Sequence, residues 1–386
     1  MSVLRGLMTR LPDKWQDKLM AKVISSGKWK GAPTFQMLFQ TMVLMGGNHS
    51  DIVRIFSESK DLGIDFREHA RQVAAERKEA GLEAENNGDI NQAIIEYQHA
   101  IVCHFLADWV TYEEELILEN YNDLLEISGR INALSNPPVE IVRIPWNDKY
   151  LCGRLRTPKG TTSTKKYPVI LLTQGNDTVK ETLRFIEEAA LEKGIAILNI
   201  DQPGWGESRY NGILNKNFQE LGSFTNKCVD FLLNHPEYSF SKVGAIGFSG
   251  GALMAAVMAS FDERIASIAM VGAALVKLDK VVKRMPAIQR RQIAKHTGIV
   301  DQNEVFKRLR AYNFEAMLPK VKVPSLVVHG EEDSLASVEG VRQIVEFFGG
   351  PTTLNVVPQG DHMCSDTLIE RELPMIMDWF LDTLCL

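Results

Sequence analysis

Hydrophobic and polar positions follow two different rhythms along the chain, and the change falls near "LSNPPVE", residues 134 to 140. Before it, apolar residues are spaced as on helices. Phe66 to Asn86 is a charged stretch of good helix formers, which "NNGD" breaks. Asp89 is placed to cap a second helix running to about Val110. A third comes next, with Glu113, Glu114 and Glu115 early in it and Leu116, Leu124 and Leu125 along it. The apolar stripe Ile94, Tyr97, Ile101 and Phe105 needs a partner to cover it.

After Pro138 the period changes. VEIVRIPW and YLCGRLRTP read as an antiparallel pair turning at Asn147 and Asp148. PVILLTQG, IAILNIDQPG, KVGAIGFS, IASIAMVGAA, SLVVHGEED and TTLNVVPQGDH are then apolar runs, most of them separated by helix-like segments. Fully apolar strands alternating with helices predict an α/β domain whose mostly parallel sheet is covered on both faces. A longer helical segment rich in Lys and Arg, about 277–320, interrupts the rhythm and is expected to ride over the sheet's edge. The expected organisation is a helical lid domain, 1–136, and a catalytic domain, 137–386, carrying that insertion.

Composition narrows the class. With 386 residues, one or two domains are expected. At 45% hydrophobic and 24% charged, the chain has ordinary globular composition. A net charge of -6 argues against a nucleic-acid partner. No uncharged apolar run of about 18 residues suggests a membrane span. MSVLRGLMTRLPDKWQDKLM has charges scattered through it, unlike a secretory signal. Five dispersed cysteines, odd in number and not paired as metal ligands, fit a cytoplasmic protein with reduced thiols.

The chemistry centres on Gly247-Phe248-Ser249-Gly250-Gly251, between the apolar VGAIGF and the Ala- and Met-rich GALMAAVMAS. G-x-S-x-G between a strand and a helix is the pattern of a nucleophile elbow, which puts Ser249 on a sharp turn with its Oγ pointing out of the sheet. The alternative is a Gly-Ser turn that only joins two elements. A base and an acid in the right order further along the chain distinguish the two. Ligands of such sheets sit at the carboxyl ends of the strands. After SLVVHG come Glu331, Glu332 and Asp333; after TTLNVVPQG come Asp361 and His362. A serine hydroxyl needs a base to take its proton, here His362, and the base needs an acid to orient it, here Asp333. Glu332 is the alternative acid, and His329 reads as a packed histidine.

Two N–H donors are needed for an oxyanion. Gly250 N–H is one, and Asn176 N–H in "TQGNDTVKE" is preferred over that of Asp177 for the other. Asp177 has two readings: a carboxyl facing substrate, or a cap on the next helix through the Val179 or Lys180 N–H. In "NIDQPGWGES", Asp201 to Gly204 form a turn at the rim of the site, and Trp205 either lines the pocket or packs.

G-x-S-x-G, D-x-P-G-x-G-E-S, "HGEED" and "GDH" together resemble the α/β-hydrolase superfamily over roughly residues 139–386. The helical N-terminus and "GNDTVKE" are similar to a group containing 2,6-dihydroxypseudooxynicotine C–C hydrolase, FrsA-like esterases and polyketide-shortening hydrolases, the polyketide-trimming lyases of anthraquinone formation among them. That group's loop reads Gly-Leu-acid-Ser-Thr-Lys-Glu. Asp177, Lys180 and Glu181 match it, whereas Asn176 and Val179 depart and leave the substrate class open. The resemblance implies an α/β-hydrolase fold and cleavage of a C–C bond beside a ketone in a polyketide or aryl β-keto substrate, free or carrier-bound. It implies no cofactor or metal, and a homodimer is expected. Ester, thioester or lactone hydrolysis is the alternative, and a non-catalytic binding protein of the same fold the third.

Overall fold

A computed structural model describes residues 15–16, 33–109, 111, 113–273, 282–283, 285, 287–312 and 314–385. Of the segment expected at 277–320, residues 277–281, 284, 286 and 313 lie outside the described residues, as do 1–14, 17–32, 110 and 112 of the expected helical domain. The chain forms two compact units. One comprises Met1–Val139 with Glu181–Phe185, the other Glu140–Lys180 with Ile186–Leu386.

The described helices of the first unit are α1 (Pro33–Leu44), α2 (His49–Leu62), α3 (Phe66–Asn86), α4 (Ile90–Trp109) and α5 (Glu114–Leu134). Asp65 caps α3 by accepting from the Arg67 and Glu68 amides. Asp89 caps α4, accepting the Gln92 amide at 3.1 Å. Tyr97, Ile101 and Phe105 of the α4 stripe are buried. Tyr97 is covered within this unit, since its ring lies where a Cβ on Gly81 of α3 would be, 2.5 Å away. Its hydroxyl donates to Glu85 at 2.6 Å. The Arg77 guanidinium bridges Asp51 of α2 and Glu96 of α4 at 2.5 and 2.9 Å, fastening three helices at one point.

The second unit is built on an eight-stranded sheet. In chain order the strands are β1 (Val139–Trp146), β2 (Lys149–Arg156), β3 (Lys166–Thr173), β4 (Ala196–Ile200), β5 (Ser239–Phe248), β6 (Ile265–Val271), β7 (Ser325–Gly330) and β8 (Thr352–Val357). Their order in the sheet is β1-β2-β4-β3-β5-β6-β7-β8. β2 pairs antiparallel with β4; every pair from β4 through β3 to β8 is parallel. Asn147, at φ 54°, makes the two-residue turn from β1 to β2. Its longer described helices are α6 (Arg184–Glu192), α7 (Phe218–Leu233), α8 (Gly250–Phe261), α9 (Ala287–Thr297), α10 (Gln302–Ala311), α11 (Val338–Val345) and α12 (Leu373–Leu384), the first two residues of α6 belonging to the other unit. β3 and β4 are buried almost throughout, as strands covered on both faces must be. Among the described residues, no helix is long and apolar enough to cross a membrane.

Close backbone packing fixes the end of β5. A Cβ on Gly247 would lie 1.9 Å from the Gly251 carbonyl oxygen. One on Gly251 would lie 2.3 Å from the Thr173 oxygen and 2.7 Å from that of Gln174. The outer glycines of G-x-S-x-G are thus steric requirements, and the second lets α8 press against the end of β3.

Gly251→Ala should therefore destabilise by about 3 kcal/mol or more, since backbone atoms cannot yield as a side chain does. Gly129 of α5 has nothing within 4 Å of its Cβ position. Gly129→Ala should instead stabilise by about 0.5–1 kcal/mol through helix propensity. Urea unfolding of the two variants checks both signs.

Candidate active site

The carboxyl ends of β3 to β8 bring together the loops that carry the polar residues singled out from the sequence. Ser249, between β5 and α8, has φ 54° and ψ -115°. That is the left-handed side of backbone space, which costs a non-glycine residue of order 1–3 kcal/mol. Its amide donates to the Val271 carbonyl at 2.8 Å, and its own carbonyl accepts from Ala252 at 3.1 Å, so the turn is held from both sides.

His362, after β8, places Nε2 2.8 Å from Ser249 Oγ and Nδ1 2.8 Å from Asp333 Oδ2. The imidazole is seated by Gly272, where a Cβ would come within 3.1 Å of the ring and 2.3 Å of the His362 carbonyl. Gly330 likewise admits the β8 loop, its Cβ position lying 2.0 Å from the Asp361 oxygen. Asp333 is oriented by its other oxygen, which accepts from the Leu335 amide at 2.6 Å and the Ala336 amide at 3.2 Å. Burial alone would raise this carboxyl. The His362 charge and hydrogen bond, with the Leu335 amide, outweigh it and hold Asp333 below the usual carboxylate range. Glu332 is exposed, so Asp333 is the acid that faces the histidine. His329 is fully buried, with Nε2 3.1 Å from the Ala336 oxygen and Nδ1 3.5 Å from Asp333 Oδ2. The aspartate thus lies between two imidazoles.

The loop after β3 lies against the elbow. Asn176 N is 3.4 Å from where a Gly250 Cβ would be, and a Gly175 Cβ would lie 3.6 Å from that of Ser249. The two amides expected to receive an oxyanion are therefore neighbours across the Ser249 turn. Asp177 accepts from the Asn176 side chain at 2.7 Å. Desolvation pushes its carboxyl up to about 6, against that hydrogen bond and the nearby His362. It does not hold the Lys180 amide, which donates to Asp201 at 3.3 Å.

Trp205 and His296 complete this edge. The indole Nε1 donates to the Gly175 oxygen at 2.7 Å, and the ring stacks on His296 at 3.7 Å and 6°. His296 Nε2 faces the Asn176 oxygen at 2.8 Å and Nδ1 the Gly204 oxygen at 2.7 Å. Burial pushes its pKa down to about 4, against the pull of those two carbonyls. His296 lies in the last turn of α9, in the segment expected to ride over the sheet's edge, and its ring meets the loops after β3 and β4. Nothing in the sequence around "AKHTG" marks it.

A second group missed from sequence is the charge cluster beneath this loop. Lys180 Nζ donates to Asp201 at 2.8 Å and Glu207 at 2.6 Å, with the lysine and Asp201 buried. Asp201 also accepts the Glu207 amide at 3.0 Å, and Ser208 Oγ donates to its carbonyl at 2.6 Å. The D-x-P-G-x-G-E-S run is thus a turn folded around one aspartate. Its glycine at 206 is required because a Cβ there would meet Asp201 at 2.2 Å.

A family described as BAAT / Acyl-CoA thioester hydrolase C terminal matches residues 222–347, a stretch holding Ser249 and Asp333 but ending before His362. A 2,6-dihydropseudooxynicotine hydrolase from Paenarthrobacter nicotinovorans is 24% identical over 350 residues, covering 89% of this chain and 90% of that protein. The crystal structure of 2,6-dihydroxy-pseudo-oxynicotine hydrolase superposes with a TM-score of 0.77 at 21% identity, over 89% of this chain and 95% of that one. AbyA5 superposes with a TM-score of 0.60 at 18% identity, over 80% and 88% of the two chains. The sheet order, the turn at Ser249 and these likenesses agree: the chain has the α/β-hydrolase fold.

Proposed function

We propose that the chain is a serine-dependent hydrolase that cleaves a C–C bond beside a ketone, in a retro-Claisen reaction on a β-keto substrate. The observation that carries the reading is the unbroken run of 2.8 Å contacts from Ser249 through His362 to Asp333. In the reaction, His362 Nε2 takes the Ser249 hydroxyl proton as Oγ bonds to the substrate carbonyl carbon. The oxygen of that carbonyl becomes an oxyanion, received by the Gly250 and Asn176 amides. It collapses as the adjacent C–C bond breaks, and the electron pair leaves on the α-carbon as an enolate. The β-keto group delocalises that charge, and His362 returns the proton to the leaving carbon. Water, deprotonated by His362, then releases the acyl group from Ser249 as a carboxylic acid.

Asp177 supports the C–C reading. A carbanion leaves with more difficulty than an alkoxide and gains from a group that hydrogen-bonds the substrate's enol or hydroxyl. Asp177 lies beside the oxyanion loop, and a carboxyl pushed up to about 6 is partly protonated near neutrality and able to donate. Thioester or ester hydrolysis by the same residues is the second reading, favoured by the thioester-hydrolase match over residues 222–347.

A fluorophosphonate probe should add its mass to the peptide containing Ser249, and Ser249→Ala should abolish turnover. Mass spectrometry of wild type with aryl ketone, polyketide and ester substrates should show acid and ketone products from C–C scission. Labelling of a different serine, or normal turnover by Ser249→Ala, defeats the serine assignment; ester products alone select the second reading.

Asp177→Asn should reduce C–C cleavage severely but barely slow hydrolysis of nitrophenyl acetate, whose leaving group needs no proton. Equal loss of both activities would make Asp177 structural; loss of neither would remove the residue-level support for C–C cleavage.

The same variant tests the protonation state. Folding raises the Asp177 pKa from 3.8 to about 6, so between those values the folded chain holds a proton that the unfolded chain has released. The stability associated with that proton is full below the unfolded pKa and is lost as pH rises through about 6. Melting temperatures should show Asp177→Asn gaining on wild type between about pH 4 and pH 7. A difference independent of pH contradicts the raised pKa.

A further inference from the structure

The loop after β3 carries two consecutive carbonyls that face the ring nitrogens of two stacked aromatic side chains. Gly175 O receives the Trp205 Nε1–H at 2.7 Å, and Asn176 O meets His296 Nε2 at 2.8 Å. The rings are stacked face to face at 3.7 Å, and His296 Nδ1 faces the Gly204 oxygen at 2.7 Å; a neutral imidazole donates to only one of the two oxygens. In a trans peptide the C=O and the following N–H point in opposite directions. Among the described residues, the cis bond is Asn136–Pro137, so the Gly175–Asn176 peptide is trans. Holding the Gly175 oxygen toward Trp205 therefore turns the Asn176 N–H away from it. Asn176 N lies 3.4 Å from the Gly250 Cβ position, beside the Ser249 turn.

We propose that Trp205 and His296 are positioning residues: as a stacked clamp they fix the orientation of the Gly175–Asn176 peptide and so aim the Asn176 N–H at the developing oxyanion. The inference rests on the serine reaction proposed above and adds to it the group that builds the oxyanion site. The need for a clamp comes from the glycine. Rotating this peptide requires only ψ of Gly175 and φ of Asn176 to change together, and glycine opposes such a rotation less than any other residue. A flipped peptide would present a carbonyl oxygen to the oxyanion and repel it. The Trp205 N–H on the Gly175 oxygen, with its ring backed by the stacked His296, removes that freedom.

Benzothienylalanine at position 205 gives the most direct test, because it keeps the fused ring and its stack but has sulfur where Trp205 has N–H. With nitrophenyl acetate, kcat should fall about tenfold or more while KM stays within about twofold, against the roughly 10²- to 10³-fold for outright loss of an oxyanion donor. Affinity for a trifluoromethyl ketone, whose serine adduct carries an oxyanion, should fall by the same factor as kcat. Trp205→Phe, which also lacks the donor, should show the same kcat-specific loss. Unchanged kcat and inhibitor affinity overturn the clamp. So does a rise in KM with kcat intact, which would make Trp205 only a wall for substrate, and so does a loss that merely tracks a lower melting temperature. Ser249→Ala, run beside these variants, separates the two levels. Normal turnover by Ser249→Ala removes the serine reaction itself. An inactive Ser249→Ala beside a fully active benzothienylalanine variant leaves that reaction standing and removes the clamp alone.

Discussion

Gly251 has no side chain because there is no room for one: the carbonyls of Thr173 and Gln174 occupy the space in which a Cβ would lie. This contact joins the first turn of α8 to the end of β3. It brings Gly175 against Ser249 and Asn176 against Gly250, so two loops from separate parts of the sequence form one rim. The positions of both amides proposed to receive the oxyanion depend on it. So does the direction of Ser249, because the turn at 249 exists only where strand and helix approach closely enough for backbone to touch backbone.

Below the rim, the unit pays for order with buried charge. Lys180, Asp201, Arg154, Arg156 and Glu187 are all almost inaccessible. Arg154 pairs with Glu187, and Asn199 of β4 reaches both Glu187 and the Lys180 carbonyl, at 2.7 and 2.9 Å. Gln174 in turn donates to Asn199 at 2.8 Å. Such a network contributes little net stability, because each ion gives up its hydration. It does tie the loop after β3 to β4 and β2 with directional bonds, and removing Lys180 would leave the buried Asp201 carboxylate without its cation. Apolar packing would hold the loop in place but would not select one conformation for it.

The same division separates the legible positions from the hidden ones. The strands β3 to β7 were legible because burial makes most of each a continuous apolar run, and β8, a partly exposed edge strand, was legible from the run TTLNVV. The Ser249, Asp333 and His362 positions were legible because each comes directly after such a run. The two arginines of β2 gave no warning: nothing in the run YLCGRLRTP shows that Arg154 and Arg156 are buried, because their partners Glu187 and Glu188 lie on α6, about 30 residues further on. His296 was hidden for another reason. It lies in a Lys- and Arg-rich helical segment whose pattern reports a solvated surface, and its partners Asn176, Gly204 and Trp205 are about 90 to 120 residues away in sequence. Trp205 itself was visible, but the choice between lining a pocket and packing could not be made without the direction of its N–H.

The backbone at Ser249 carries one more implication. At φ 54° and ψ -115°, the position suits glycine better than any residue with a side chain. A chain optimised for thermodynamic stability alone would drift toward glycine there, losing nothing in packing because the hydroxyl's partner is His362 rather than the core. The serine there is kept against conformational strain, and that strain falls on the one residue whose hydroxyl faces His362.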